Sequence, residues 1–290
     1  MGKTGDDAWG SSVRALRVGL LILVSLLALF PLAWQLLGSF ADNVGVLEIP
    51  PPVFPHGLDF SNYTVLFNGF AVFRWLWNSI IVCVGAVALE LATALPAAYA
   101  LELRPFRGSR AVWMAFLLSM MLSGQLSLIP LYKLIRAMGL TTSRLGLILP
   151  FSFSAFAVFS IRAYLKDYPR EVLDAADIDG AGEARKLAQV VVPMCVPVIA
   201  ALGSMAAVGV WNSYLWQSLI ANTDRTRTLL IGVSRAVWDA VFYHLQVIGV
   251  DGTDYGVLMA GAMVVFLPMG VLFTWTCRYV MKGLFAGRGL

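Results

Sequence analysis

Apolar runs long enough to cross a bilayer alternate in this sequence with short charged segments, and that alternation leaves few folds open. Hydrophobic residues make up 59% of the chain and charged ones 13%, about half the charged share of an ordinary soluble domain. In hydrocarbon the backbone must satisfy its own N–H and C=O groups, so a run of about 20 apolar residues becomes a helix. Six spans are expected, at 18–41, 75–101, 111–132, 145–161, 197–221 and 255–277. The fold class expected is therefore an all-α polytopic membrane protein with six transmembrane helices.

The spans differ in ways that matter. The first lacks the small-residue cleavage site of a signal peptide, so it is expected to be retained. It leads into an outer loop, stiffened by Pro50, Pro51, Pro52 and Pro55, in which residues 60–63 are placed to cap a short helix. The second span is interrupted by Glu90 and Pro96. A carboxyl at mid-membrane costs ~2.5–3.5 kcal/mol on insertion scales, so Glu90 is either a pathway residue or a group protonated or paired against another helix. The fourth span is short and broken by Pro150. In the fifth, Ala200/Ser204 and Gly203/Ala207 put small residues four apart, which allows close helix packing. The apolar piece 240–250 is too short to cross and reads as re-entrant or interfacial.

Six spans place both termini on one side. With the N-terminus inside, fourteen of the 21 Lys and Arg fall in inner segments and seven in outer ones, as the positive-inside rule requires. The net charge of +4 is thus a matter of topology and does not point to nucleic acid. The expected division is a cytoplasmic N-terminus (1–17), a first span with its outer loop (18–74), a five-span core (75–282) with a cytoplasmic loop at 167–195, and a cytoplasmic tail (283–290). Cys83, Cys195 and Cys277 show no paired spacing, and His56 and His244 lie far apart, so neither a disulfide framework nor a metal site is implied. Gly2-Lys3-Thr4 has the ending of a phosphate-binding loop without its first glycine. ATP, if needed, is expected on another chain.

The loop between spans four and five is the most charged part of the sequence, with six acidic residues in the seventeen positions from Asp167 to Glu183. A segment of that kind belongs in water. Pro169 suits a first helical turn, and Glu171 and Asp174 follow where the positive end of the helix dipole favours them. Gly180 supplies the sharp reversal, and a second helix is expected from about Gly182 until Pro193 stops it. Asp174-Ala175-Ala176, three residues, Gly180, nine residues, Val190, one residue, Val192-Pro193 resembles the EAA loop of ATP-binding-cassette (ABC) importer permeases. Asp stands for the family's Glu, and two valines stand for Ile and Leu.

Other segments are similar to the maltose-type carbohydrate branch of that family: Ile129-Pro130-Leu131-Tyr132, Gly146-Leu147-Ile148-Leu149-Pro150, Tyr168-Pro169-Arg170-Glu171, residues 211–216, Arg227-Thr228-Leu229 and the ending at 282–287. The ending resembles that of the shorter, six-span partner of the heterodimeric pair. The resemblance implies the type I (MetI-like) permease fold in a bacterial or archaeal cytoplasmic membrane, and an importer of five parts. A second, different permease, a dimer of ABC ATPase subunits holding ATP and Mg, and an external solute-binding protein would be its partners. This chain would carry no cofactor and no catalytic residue. Glu171, Asp174, Ala175, Ala176, Asp179, Gly180 and Pro193 would dock the ATPase. Trp211, Asn212, Tyr214 and Trp216 are either sugar contacts or interfacial anchors, and Glu90 is a further pathway candidate. A solute other than a sugar, or a stand-alone carrier using Glu90, is the competing reading. An intramembrane enzyme would need a grouping of nucleophile, base or metal ligands inside the spans that the sequence does not offer.

Overall fold

The computed structural model describes residues 4–41, 57–167, 169–237, 239 and 255–286. The regular structure among them is helical: α1 (Thr4–Gly38), α2 (Ser61–Gly69), α3 (Val72–Glu102), α4 (Ser109–Met120), α5 (Leu128–Ala137), α6 (Arg144–Phe151), α7 (Ala155–Lys166), α8 (Arg170–Ile178), α9 (Glu183–Met194), α10 (Val196–Trp211), α11 (Tyr214–Ile220), α12 (Leu229–Ile231) and α13 (Tyr255–Ala286). The chain divides into two compact units, Met1–Phe70 with Arg235–Val264, and Ala71–Ser234 with Val265–Leu290.

In the first unit no residue of the apolar part of α1, Leu16–Gly38, is buried; residues 16–31 are exposed, as a helix solvated by lipid should be, and the last two turns are partly covered. Its end is fixed by side chains of α2. Asn62, buried, donates from Nδ2 to the carbonyls of Ser39 (3.1 Å) and Ala41 (2.8 Å), and the Ser39 and Tyr63 hydroxyls lie 2.8 Å apart. The helix at 61–69 forms where expected, with Phe60 at its N-cap position; that side chain makes no capping bond, and the Asp59 carboxylate one residue upstream accepts from the Ser61 N–H at 2.8 Å.

The second unit is assembled around α3. Its first half packs Val82 and Ala86 with Ile135, Leu147, Trp216 and Ile220. Its second half packs Ala94, Ala98 and Leu101 with Ala157, Ile161 and Leu165 of α7 and with Leu173, Val191 and Cys195 from the charged loop. The small-residue face of α10 seats against this helix as its spacing suggests. A Cβ at Gly203 would sit 3.5 Å from Val87, and the Cys83 thiol lies 3.6 Å from the Ala207 carbonyl.

Several expected spans differ from what is observed. The second is continuous: α3 runs through both Glu90 and Pro96. Only one backbone N–H is lost at Pro96, and the packing on either side keeps the helix together. The third is divided, because α4 ends at Met120 and α5 starts at Leu128. At 1.5 Å per residue α4 is roughly 18 Å long, short of the ~30 Å hydrocarbon core. The fourth is α6 and α7 with a 44° bend after the proline-containing turn 149–151. The fifth breaks at Asn212 and Ser213 and resumes as α11. Among the described residues three helices are long and apolar enough to cross a membrane, or five if each bent pair is one span. The expected count of six is thus reached only if α4, too short by itself, is completed by the residues on its C-terminal side. The segment 240–250, His56 and His244 lie outside the described residues.

Candidate functional site

The charged loop folds as the anticipated pair of helices, α8 and α9, reversing at Gly180. Gly180 adopts φ +70°, the Gly180 N–H donates to the Asp177 carbonyl (3.1 Å) and the Ala181 N–H to that of Ala176 (3.0 Å). This is a Schellman closure, which needs a left-handed residue at that one position. Two details differ from expectation. Pro169 stands just before the first helical turn, as the N-cap residue of α8. The second helix passes Pro193 and ends at Met194, because five residues, Leu187–Val191, widen into a π-turn. That turn shifts the hydrogen-bond register ahead of the proline, and Pro193 falls in the first turn of the next short piece, where a missing N–H costs little. The chain then bends by 80° into α10.

The hairpin is pinned to the core on one face and bare on the other. Leu173, Val191 and Cys195 are buried beneath it. Beside them lies a charged node that sequence reasoning missed. Arg104, just past α3, donates from Nη2 to Asp177 Oδ2 (2.6 Å) and from Nε to Glu183 Oε2 (3.3 Å). The Tyr99 hydroxyl donates to the same Glu183 oxygen at 2.6 Å. Lys186, with its side chain 3% exposed, donates from Nζ to both Asp177 and Glu183. Each carboxylate therefore has two cationic partners, an arrangement that offsets the burial of the lysine. Lys186, then Arg104, holds the Asp177 carboxyl below the usual carboxylate range, and the same contact raises Arg104 above its ordinary value. One sequence signal did exist: Asp177, Glu183 and Lys186 bracket the Gly180 turn with opposite charges. Nothing local pointed to Arg104, 73 residues from Asp177.

On the bare face lie Glu171, Asp174, Ala175, Asp179 and Gly180, all exposed, with Ala176 half-buried and Pro193 exposed on the second helix. Ile178 projects among them at 87% exposure. A helix carrying two alanines, a carboxylate with no ion pair among the described residues and an apolar knob can lie in a groove of another protein. The expected docking residues are thus brought onto one structure, and the carboxylates Asp177 and Glu183 are set apart from them by their ion pairs.

The pathway candidates are not gathered in the same way. Glu90 is half-buried beside the Ser154 hydroxyl, at the bend between α6 and α7, where Thr93 Oγ1 also donates to the Ser152 carbonyl (2.6 Å). Trp211 and Trp216 are buried, with indole N–H groups donating to the carbonyls of Val265 and Gly146, each at 3.2 Å. Their observed contacts are packing contacts. Asn212 and Tyr214 are exposed at the break between α10 and α11. No hydrogen bond among the described residues joins Glu90 to that segment.

Continuous and broken apolar helices, with a charged hairpin at the end of α3, define a multi-pass membrane protein with one strongly polar part. No family model matches the chain. It is 31% identical over 273 residues to the arabinooligosaccharides transport system permease protein AraQ of Bacillus subtilis, covering 92% of each chain. It is 26% identical over 274 residues to the sn-glycerol-3-phosphate transport system permease protein UgpE of Rhizobium meliloti, covering 91% of this chain and 93% of that one. A crystal structure of a bacterial ABC transporter that imports the acidic polysaccharide alginate contains a chain of the same fold, with a TM-score of 0.81, 22% identity and coverage of 96% and 99%. The chain belongs to the carbohydrate, maltose-type branch of the ABC importer permeases. It is a permease subunit of the inner membrane, and the ATPase activity of such a transporter resides on separate subunits.

Proposed function

We propose that this chain is one of two unlike permeases in a binding-protein-dependent importer of a disaccharide, oligosaccharide or sugar derivative, and that the hairpin α8–α9 is where a dimer of ATPase subunits grips it. ATP and Mg belong to those subunits, and an external binding protein delivers the solute. The two-to-one excess of Lys and Arg on the hairpin side supports a cytoplasmic hairpin and cytoplasmic termini. The observation that carries the reading is the division of the hairpin into a pinned face and a bare one. A lever must be stiff where it joins the moving part and free where it is held. Asp174 and Ala175 orient and fit the docked helix, Ala176 backs it, and Glu171 and Asp179 flank it. Pro193 and the π-turn set the angle at which the push enters α10. The oligosaccharide named for the Bacillus relative supports a sugar. The glycerol phosphate named for the Rhizobium relative makes a phosphorylated polyol the second reading. A thermal-shift panel of sugars and polyol phosphates on the external binding protein separates the two.

Gly180→Arg tests the grip. Open space surrounds a Cβ there, so the direct cost is the left-handed backbone, roughly 1–2 kcal/mol. The expected result is an assembled complex that hydrolyses ATP without uptake. Gly180→Asn, which tolerates that backbone, should keep most uptake and so separates strain from obstruction. Normal uptake by Gly180→Arg overturns the assignment.

A further inference from the structure

Beside the hairpin, and not part of its bare face, a cavity of about 280 Å³ opens between the ends of three helices. It is lined by Glu102, Trp113, Phe159, Arg162, Ala163 and Lys166. Glu102 ends α3 and Lys166 ends α7, while Trp113 stands one turn inside the start of α4. The cavity therefore lies at the depth where spans leave hydrocarbon for water, which is where lipid phosphates sit. Its charge is unbalanced. Arg162 Nε donates to Glu102 at 2.7 Å, and the guanidinium carbon lies 4.0 Å from the Trp113 ring centre. Those two contacts hold the guanidinium plane and leave its Nη donors free of both. Lys166, one turn further along the same helix, is exposed and has no ion-pair partner among the described residues. Two cations thus face one carboxylate already engaged.

Toward the membrane interior a row of aromatic side chains follows, from α4, from α7 and from the turn just before α7. Trp113 stacks on Phe159 with ring centres 5.8 Å apart and planes within 9°, and Phe116 lies 5.1 Å from Phe153. Phe159 and Phe156 are 40% and 45% exposed, so the row is open from the side. A free phosphate would use the cations and leave these rings without a partner. A lipid uses both.

We propose that this cleft binds an anionic glycerophospholipid, with its phosphate on Arg162 and Lys166 and an acyl chain along Phe159 and the Phe116–Phe153 pair. The site goes beyond the transport reading and depends only on the chain lying in a bilayer, so it survives a failure of the hairpin assignment. Trp113 reports on it directly. The full chain, purified with its importer partners, is reconstituted in phosphatidylcholine, and phosphatidylglycerol brominated on its acyl chains is titrated in. The Trp113 signal is the quenching present in the wild type and absent from Trp113→Phe. Brominated phosphatidylglycerol should quench that component at about five-fold lower mole fraction than brominated phosphatidylcholine, the scale of one basic side chain at an anionic surface. Lys166→Ala should remove most of this advantage and leave quenching by phosphatidylcholine unchanged. Arg107→Ala, an exposed cation outside the cleft, should leave both unchanged. Glu102→Gln, which releases Arg162, should strengthen the preference. Equal quenching by the two lipids, an equal loss in Arg107→Ala, a Lys166→Ala variant that keeps the preference, or removal of the preference by millimolar inorganic phosphate would each overturn the proposal.

Discussion

The two ends of α3 are both tied by polar side chains, by opposite means. At its start Asn78 is fully buried and uncharged, donating from Nδ2 to the carbonyls of Arg225 (3.0 Å) and Arg227 (2.8 Å) and accepting from Arg144 Nε (3.0 Å). The neighbouring Ser79 hydroxyl accepts from the Leu229 N–H at 2.8 Å, and Thr228, buried, donates to Gln217. At the other end the ties are the ion pairs of Arg104 with Asp177 and Glu183, whose side chains are 39–57% exposed. Hydrogen bonds of a buried, uncharged side chain are costly to break because each abandoned group stays away from water. Exposed ion pairs are individually weak, because water replaces either partner. The first arrangement suits a joint that stays closed, and the second suits a joint loaded and released in each cycle.

The sharpest way to break this contrast is at the buried end. Asn78→Leu strands two or three polar groups and should destabilise the purified chain by about 2–4 kcal/mol, read as a lower thermal midpoint in detergent. A change under ~1 kcal/mol would show the two ends to be alike. Arg104→Ala should do the reverse, with a stability change within ~1 kcal/mol and a several-fold drop in solute imported per ATP; Arg104→Lys should recover most of it. A smaller effect is expected at Asp174, exposed and free of ion pairs among the described residues: Asp174→Ala should weaken co-purification of the ATPase by a few-fold and leave the thermal midpoint unchanged. The smallest is the response to acid. The Asp177 pKa is depressed in the folded protein, so its tie is at full strength above the ordinary aspartate value of about 3.9 and is lost as pH falls through the lower, folded value. Hydrogen-exchange protection of the hairpin should therefore hold from neutral pH to about 5 and decline only below about 4. Asp177→Asn should reduce that step and leave the part carried by Glu183, whose carboxyl Lys186 also holds below its ordinary value.

The hairpin could be read from local sequence because its determinants are local. Gly180 is required by one backbone angle, and water is required by six clustered carboxylates. The roles of those carboxylates could not be read, since Asp174 and Asp177 are alike in sequence while one is bare and the other clamped. The breaks in the third and fifth expected spans were likewise illegible. Hydropathy reports side chains only, and a break in the backbone is tolerated wherever protein or water satisfies the freed groups, so hydropathy marks what is greasy and not where a helix ends. The tryptophans of 211–216 show the same limit: residue type suits a sugar, an interface or a core, and it took the tertiary structure to show Trp211 and Trp216 buried with their indole N–H groups on backbone carbonyls.

By itself the sequence determined that the chain is helical, lives in a bilayer and carries one water-exposed hairpin, because solvent preference and turn geometry act over a few residues. The tertiary structure decided which face of that hairpin is held and which is bare, and joined Arg104 to Asp177 across 73 positions. Charge attracts any opposite charge, so only the packing of α3 beneath the hairpin could select that partner.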